Sequence, residues 1–501
     1  MASVRTVPML IWVLGVGALA MFLPAAHGLV RGHMEVSRAF FYSGTLFLIF
    51  AGMMALATAN YRPTNLARNH LASLVGAYLI VPVMLAVPFQ WAVGDTSFFN
   101  AWFEMLSSFT TTGATLYDRP DRLSDTLHLW RALVGWLGGF FVILNAVAVL
   151  APLNLGGIEV LSGRAPGRQN LKALIEVAEP AERMFHHAIR LLPAYGGLTL
   201  VLWVILLAMG ENGLFALSYA MGTLSTSGIY PGVDYSHMPG LHVSEIAVFA
   251  FLTVAITRRM LPGRVLIDRS ARLRDNPEVR FAAMLMLTAP TVLVLRHWLG
   301  QVDYIGGIGE FSQAMWGSLF TTLSFMTTTG YVSGGWDVAR GWSGLDSSGL
   351  ILLGLAVVGG GVGTAAGGVT LLRVYALSRH SHREMQRIIH PSSIGGGSPV
   401  ARRLRRDGAY VAWIFIMLFG VTAVVAMLLL GLVGMRFEPA VILTMSALTT
   451  AGPLASVAGE VPIFWSAQTD VAKFILGITM IFGRVETLVV LALLAPSSWR
   501  R

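Results

Sequence analysis

Four short segments of this chain carry its clearest chemical signal. They read Phe-Thr-Thr-Thr-Gly-Ala (109–114), Leu-Ser-Thr-Ser-Gly-Ile (224–229), Met-Thr-Thr-Thr-Gly-Tyr (326–331) and Leu-Thr-Thr-Ala-Gly-Pro (448–453). Their glycines, Gly113, Gly228, Gly330 and Gly452, are 115, 102 and 122 residues apart. What such a run offers is backbone. Glycine admits the left-handed or extended torsions that turn successive carbonyls to one side, and small Thr and Ser side chains pack behind without blocking a path. Four copies around one axis would present rings of carbonyl oxygens, which can replace the hydration shell of a dehydrated cation. A lone Thr-Gly carries no such meaning, because Thr and Ser in apolar helices commonly bond back to the i−4 carbonyl. The recurrence at similar spacing is what signals one structural unit reused around an axis.

The elements that must position these turns follow from composition. The chain has 501 residues, 55% of them hydrophobic and 12% charged, with 54 glycines and no cysteine. Soluble proteins run at about 25% charged. Half that charge and a mean hydropathy of +0.67 describe a polytopic membrane protein. Without cysteine there is no disulfide framework, thiolate metal site or cysteine nucleophile. Apolar runs able to cross a hydrocarbon core of about 30 Å are predicted at 8–27, 39–59, 71–91, 128–151, 191–209, 242–256, 281–299, 347–372, 409–434 and 471–496. The first is read as a retained helix, since no small-residue cleavage site separates it from the second. Before each Thr/Ser-Gly turn a shorter helix is predicted (98–109, 213–224, 310–325 and 437–448). These are too short to cross and fit re-entrant half-helices whose negative dipole ends favour a cation.

Ten crossings put both termini on one side. Segments 1–7, 60–69, 152–190, 257–280, 373–407 and 497–501 hold 25 Lys/Arg against 9 Asp/Glu, whereas the alternate segments hold 6 against 16. By the positive-inside rule the first set, termini included, is cytoplasmic. The net charge of +9 is therefore a difference between two membrane faces and gives no support to nucleic-acid binding.

Two features inside the spans stand out. Residues 359–368 hold six glycines in ten, Gly359, Gly360, Gly361, Gly363, Gly367 and Gly368. At about 0.8–1 kcal/mol each relative to alanine, they oppose a continuous helix, and the freed backbone must face water or protein. A phosphate loop is excluded because no Gly-Lys-Ser/Thr follows; close helix packing through small residues is the plainer alternative. Arg484 lies deep in the last span, and Glu486 points to another helix face. Carbonyls of the 359–368 loop or pore water are its expected partners, and a cation there would oppose cation passage. A structural salt bridge between helices is the alternative. Asp118, Asp234, Asp337 and Glu460 follow the four glycines by five to eight residues; they would make an acidic outer mouth that concentrates cations, or are solvated loop charges. His186-His187 and His380/His382 lack metal-ligand spacing and read as solvated. The 373–407 stretch, with eight arginines, reads as a flexible basic linker open to anionic lipid or a cytosolic regulator.

These segments resemble the potassium-transporter superfamily that includes bacterial TrkH and KtrB and plant HKT proteins. The resemblance rests on Phe99 to Asp118 (FNAWFEMLSSFTTTGATLYD), the Val87-Pro88-Phe89 before it, the other three turns and Gly483-Arg484-Val485-Glu486. Two extra N-terminal spans favour the TrkH branch. It implies a homodimer of channel-like subunits, each with its own pore, under a cytosolic nucleotide-binding regulatory ring of RCK type (TrkA-like). It implies a filter from the backbone of Thr111-Thr112-Gly113, Thr226-Ser227-Gly228, Thr328-Thr329-Gly330 and Thr450-Ala451-Gly452, with K⁺ as the transported ion and no covalently bound cofactor. Serine at the first glycine goes with sodium permeation in plant members; here all four are glycine. It also implies that the 359–368 loop obstructs the pore below the filter. Thr370 stands where relatives often carry lysine.

The expected fold is an all-α polytopic inner-membrane protein with ten transmembrane helices and four span, half-helix, filter, span repeats around a pseudo-fourfold pore. The units are 1–69 (two extra helices), 70–152, 153–260, 261–375 and 376–501. Competing readings are a Na⁺-permeable or Na⁺-coupled relative and a carrier of an organic solute, which would need broken helices around a midplane site. An enzyme is disfavoured for want of a nucleophile or metal cluster.

Overall fold

The computed structural model describes residues 8–58, 66–151, 180–231, 241–258, 273–299, 308–345, 347–390 and 399–485, and they contain helices and no strands. In chain order the helices are α1 (Met9–Ala20), α2 (Phe22–Val30), α3 (Met34–Ala57), α4 (Leu66–Val93), α5 (Phe98–Phe109), α6 (Asp125–Asn145), α7 (Pro180–Ala208), α8 (Gly213–Ser225) and α9 (Leu241–Leu252). There follow α10 (Pro277–Leu299), α11 (Ile308–Met326), α12 (Trp336–Ser343), α13 (Gly349–Val358), α14 (Leu371–Ile389), α15 (Pro399–Leu432), α16 (Phe437–Leu448), α17 (Leu454–Val457) and α18 (Asp470–Val485). Seven segments among the described residues are long and apolar enough to cross a membrane: Met9–Val30, α3, most of α4, α6 with its π-helical extension Ala146–Leu150, and the apolar parts of α7, α10 and α15. Shorter apolar helices occupy 243–256, α13 and α16.

Burial sorts these helices. The span of α6 is 78% buried, against 28% for those of α3, α7, α10 and α15. An apolar helix with most of its surface uncovered needs an apolar solvent, so α6 lies inside and the other four face outward. Glycines make α6 fit: a Cβ on Gly138 would run into the carbonyl of Phe109, the last residue of α5.

The four half-helices α5, α8, α11 and α16 pack by one rule. Each lies between the two helices that flank it, α4/α6, α7/α9, α10/α13 and α15/α18. Each also touches the second flanking helix of another unit: α8 touches α6, α11 touches α9, α16 touches α13, and α5 touches α18. The order of contact closes on itself. The N-terminal helices α1 and α3 pack on α4 outside this arrangement, and α2 reaches α6.

The expected linker at 373–407 differs in the structure. The chain is helical through Ile389 and again from Pro399, so only 391–398, with Gly395–Gly397, lie outside the described residues. The reason is local. Residues 371–389 contain no Gly or Pro, are rich in helix formers, and Glu384 pairs with Arg387 one turn on at 2.8 Å. Arg373 is buried with its guanidinium 3.7 Å from the Phe415 ring centre, which fastens α14 to α15.

Candidate functional site

The four Thr/Ser-Gly turns share one backbone geometry. The first residue of each triplet is left-handed: Thr111, Thr226, Thr328 and Thr450 have φ of 54°, 52°, 56° and 56°. A β-branched residue there is held about 1–2 kcal/mol above its preferred torsions. The amide of the second residue turns back to the carbonyl five residues earlier: Thr112 to Ser107 (2.8 Å), Ser227 to Gly222 (3.0 Å), Thr329 to Ser324 (2.9 Å) and Ala451 to Ser446 (2.9 Å). In a trans peptide the N–H and the preceding C=O point in opposite directions. The carbonyls of Thr111, Thr226, Thr328 and Thr450 therefore point away from their own half-helices.

Hydroxyls behind the turns are spent on bracing. Thr110 and Thr112 pair at 2.8 Å, Ser225 and Ser227 at 2.9 Å, and Thr327 and Thr329 at 3.1 Å. The i−4 back-bond is made by the residue preceding each triplet: Thr110, Ser225, Thr327 and Thr449 donate to Leu106, Met221, Leu323 and Met445. Both uses of Thr and Ser thus occur, at different positions.

The turns touch in cyclic order. A Cβ on Gly113 would strike the carbonyl oxygen of Ser227, and one on Gly228 that of Thr329. Gly330 lies against the Pro453 ring, and the Gly452 amide donates to the Thr112 carbonyl at 2.6 Å. The triplet residues are buried except Gly113 and Gly228, which are partly open.

Directly against these turns runs the glycine-rich segment. The chain leaves α13 at Gly359, is non-helical to Thr370 and re-enters helix as α14. Its amides are tied on several sides: Gly361 donates to Ala255 (2.9 Å), Val362 to the Glu278 carboxylate (3.0 Å) and Gly367 to the Thr328 hydroxyl (2.8 Å). A Cβ on Gly367 would strike the Thr449 carbonyl and the Thr450 hydroxyl. Close approach of this backbone to the turns therefore requires glycine here. A cavity of about 70 Å³ lies beside the segment, lined by Gly361, Gly363, Gly367, Asn145, Phe415 and Arg484 among others; it has room for several water molecules. Arg484 is buried and its Nε donates to the Thr110 carbonyl at 2.7 Å. The expected carbonyl partner is thus one at the end of α5 rather than one in the 359–368 loop, because α18 packs along α5. It shares the cavity with the loop.

The family model described as "Cation transport protein" (TrkH) matches residues 249–501. The chain belongs to the TrkH family of cation transport proteins. The Trk system potassium uptake protein TrkH of Vibrio parahaemolyticus is 27% identical over 476 residues, covering 90% of each chain. The Escherichia coli protein of the same name is 26% identical, covering 89% of this chain and 90% of its own. The crystal structure of the potassium transporter TrkH from Vibrio parahaemolyticus superposes with a TM-score of 0.79 at 23% identity, covering 100% of this chain and 99% of that one.

In this TrkH-family chain the acidic residues that follow the four glycines are less gathered than the turns. Asp118, Asp337 and Glu460 are exposed, Asp118 accepts a hydrogen bond from Ser466, and Asp234 lies outside the described residues, as does Glu486. Among the described residues no three His, Asp or Glu cluster as metal ligands.

Sequence reasoning missed the carboxylates that hold the turns from behind. Glu104 pairs with Arg131 at 2.7 Å and accepts the Leu116 amide at 2.9 Å, just past the first turn. Glu245 accepts from the Trp316 indole (2.7 Å), the Ser333 hydroxyl (2.8 Å) and the Gly334 amide (2.9 Å), just past the third. Both are fully buried. The available signal was a single charge inside each otherwise apolar element. Near the first turn, burial pushes the Tyr117 phenol up to about 12.

Proposed function

We propose that this protein carries K⁺ into the cell through a channel-like pore whose filter is the backbone of the four turns. The observation that carries the reading is the cyclic contact of four turns that share one left-handed geometry and turn their carbonyls off their own half-helices. Rings of such oxygens substitute for the hydration shell of a dehydrated cation. The α5, α8, α11 and α16 C-termini end at these turns, adding the negative ends of four helix dipoles. Ten crossings follow if 242–256, the α13–α14 pair and the last span cross together with the seven long segments, giving four repeats around a pseudo-fourfold axis. Glycine at all four filter positions favours K⁺ over a Na⁺-permeable relative. The curated relatives are named potassium uptake proteins of a Trk system, which supports both the ion and a TrkA-like cytosolic partner.

The segment 359–368 and Arg484 form the barrier. The loop crosses directly under the turns, and the guanidinium lines the cavity beside it. A cation passing there must displace or screen a buried positive charge, which is costly at membrane depth. The membrane potential drives entry with about 2.3 kcal/mol per charge per 100 mV. Asp118, Asp234, Asp337 and Glu460 gather cations at the outer mouth, and the basic inner segments face anionic lipid and the regulator. The subunit is a homodimer partner with both termini in the cytoplasm. Expression in a strain lacking K⁺ uptake should restore growth at low external K⁺. No rescue by protein demonstrably present in the membrane refutes the proposal.

A further inference from the structure

Glu278 is a buried carboxylate that its own helix does not need. It stands in the first turn of α10, where a side-chain oxygen usually serves the free amides of the helix end. Asn276 already does that work: its Oδ1 accepts the Glu278 amide at 3.0 Å, and Pro277 between them fills the first helical position. The Glu278 side chain instead reaches 84 positions along the chain to accept the Val362 amide of the 359–368 segment at 3.0 Å. Glu278 is only 6% exposed, and a carboxylate is costly to bury without partners. Its placement answers to the loop rather than to α10. Neighbouring groups hold the same stretch of loop. The Ala255 carbonyl accepts the Gly361 amide at 2.9 Å and the Thr364 hydroxyl at 3.2 Å. A Cβ on Gly361 would strike the Ile256 carbonyl, and one on Gly363 would meet the Arg258 side chain at 3.5 Å. Asn276 Nδ2 donates to the Thr257 hydroxyl at 3.0 Å, which joins the end of α9 to the start of α10. The Arg258 charge also acts on Glu278.

We propose that Glu278 is a positioning residue for the loop: its carboxylate, set in place by Asn276 and Thr257, fixes the Gly361–Thr364 stretch, and release of the Val362 amide is a step in opening. This rests on the reading of 359–368 as a barrier and adds the group outside the loop that holds it. The donor is a backbone amide, so the side chain at 278 alone decides the strength of the bond. A charged acceptor makes a hydrogen bond about twice as strong as a neutral one such as the Ala255 carbonyl. Without it, the closed loop keeps a buried amide with no acceptor. In an opened loop that amide meets water, so the loss falls on the closed position and shifts the balance toward opening.

The full-length chain has no cysteine, so Ala366→Cys places a single thiol in the loop, beside the cavity that Ala366 lines. In that background, the rate at which a small thiol reagent modifies the protein in detergent reads loop release. K⁺ flux in proteoliposomes reads the barrier. Glu278→Ala should speed modification about tenfold, the worth of one hydrogen bond to a charged group, and raise basal flux. Glu278→Gln keeps an acceptor oxygen and should fall between Glu278→Ala and the parent in both readouts, a graded rescue that general loss of packing would not give. Where Glu278→Ala does not fold, Asn276→Ala carries the same expectation, because it frees the Thr257 hydroxyl and the Glu278 amide together. Modification of Glu278→Ala at the parent rate overturns the proposal. Faster modification with unchanged flux keeps Glu278 as the hold on the loop and overturns instead the barrier reading beneath it.

Discussion

Replacing Glu104 by glutamine strands a guanidinium inside the protein. Arg131 Nε lies 2.7 Å from Glu104 Oε1, and the two side chains are 6% and 0% exposed. At that separation the Coulomb attraction is about 6 kcal/mol at an effective dielectric of 20. Most of it is offset by the cost of taking both charges out of water. Neutralising one partner removes the attraction and leaves the desolvation of the other, so Glu104→Gln should cost about 3–5 kcal/mol. Glutamine keeps an oxygen for the Leu116 amide, which isolates the charge. Leucine also deprives that amide of its acceptor, so Glu104→Leu should lose about 1–3 kcal/mol more. Removing the cation as well, in Glu104→Gln/Arg131→Met, should recover most of the first loss, because an apolar pair in place of a buried ion pair is near neutral. Thermal unfolding in detergent should rank wild type and the double variant above Glu104→Gln, and Glu104→Leu last. A Glu104→Gln protein that melts with the wild type, or a double variant that melts no later than Glu104→Gln, refutes the reasoning.

Two changes test the proposed pore more directly. Gly113→Ser imposes about 1–2 kcal/mol of left-handed strain and drives a Cβ into the Ser227 carbonyl, so turns one and two must separate. K⁺/Na⁺ discrimination should fall, and unchanged permeability ratios in a flux assay would count against the filter assignment. Arg484→Ala empties the cavity of its charge and frees the Thr110 carbonyl. Basal K⁺ flux should rise in proteoliposomes without any regulator, and a variant no leakier than wild type removes Arg484 from the barrier.

The half-helices were legible in the sequence to within two residues. The prediction of 98–109 meets α5 at both ends, and 437–448 meets α16 likewise. Short apolar runs that end in a Thr/Ser-Gly turn leave few choices, and in the structure the Ser97 hydroxyl accepts the Asn100 amide as the N-cap of α5. The interruption at Gly359 was legible because six helix-breaking residues act on the same ten positions. What could not be read was pairing across the chain. Glu104 and Arg131 sit 27 positions apart, and Glu245 meets Ser333 and Gly334 across nearly 90; nothing in local spacing selects those partners. The helical course of 371–389 was missed for another reason. Its arginines read as solvated linker, although the absence of Gly and Pro and the excess of helix formers already favoured helix locally.

The fourth turn shows how one geometry is reached with unequal residues. Ala451 has no hydroxyl, so the brace made by Thr112, Ser227 and Thr329 has no counterpart there. Gly452 is also outside the left-handed region that Gly113, Gly228 and Gly330 occupy. Support comes instead from the neighbours: the Gly452 amide bonds the Thr112 carbonyl, Pro453 packs on Gly330, and the Trp465 indole bonds the Gly452 carbonyl at 3.2 Å. Three turns are therefore braced from within and the fourth from outside. That difference has an electrostatic consequence for the proposed filter. The Thr112 carbonyl already accepts a hydrogen bond, which draws its lone-pair density toward an amide and away from an ion. At the level of Thr112 the ring of oxygens is weaker on one side, whereas at the level of Thr111, Thr226, Thr328 and Thr450 the four left-handed torsions are nearly equal. Discrimination by coordination should thus be concentrated at the threonine level, the level the intramembrane loop touches.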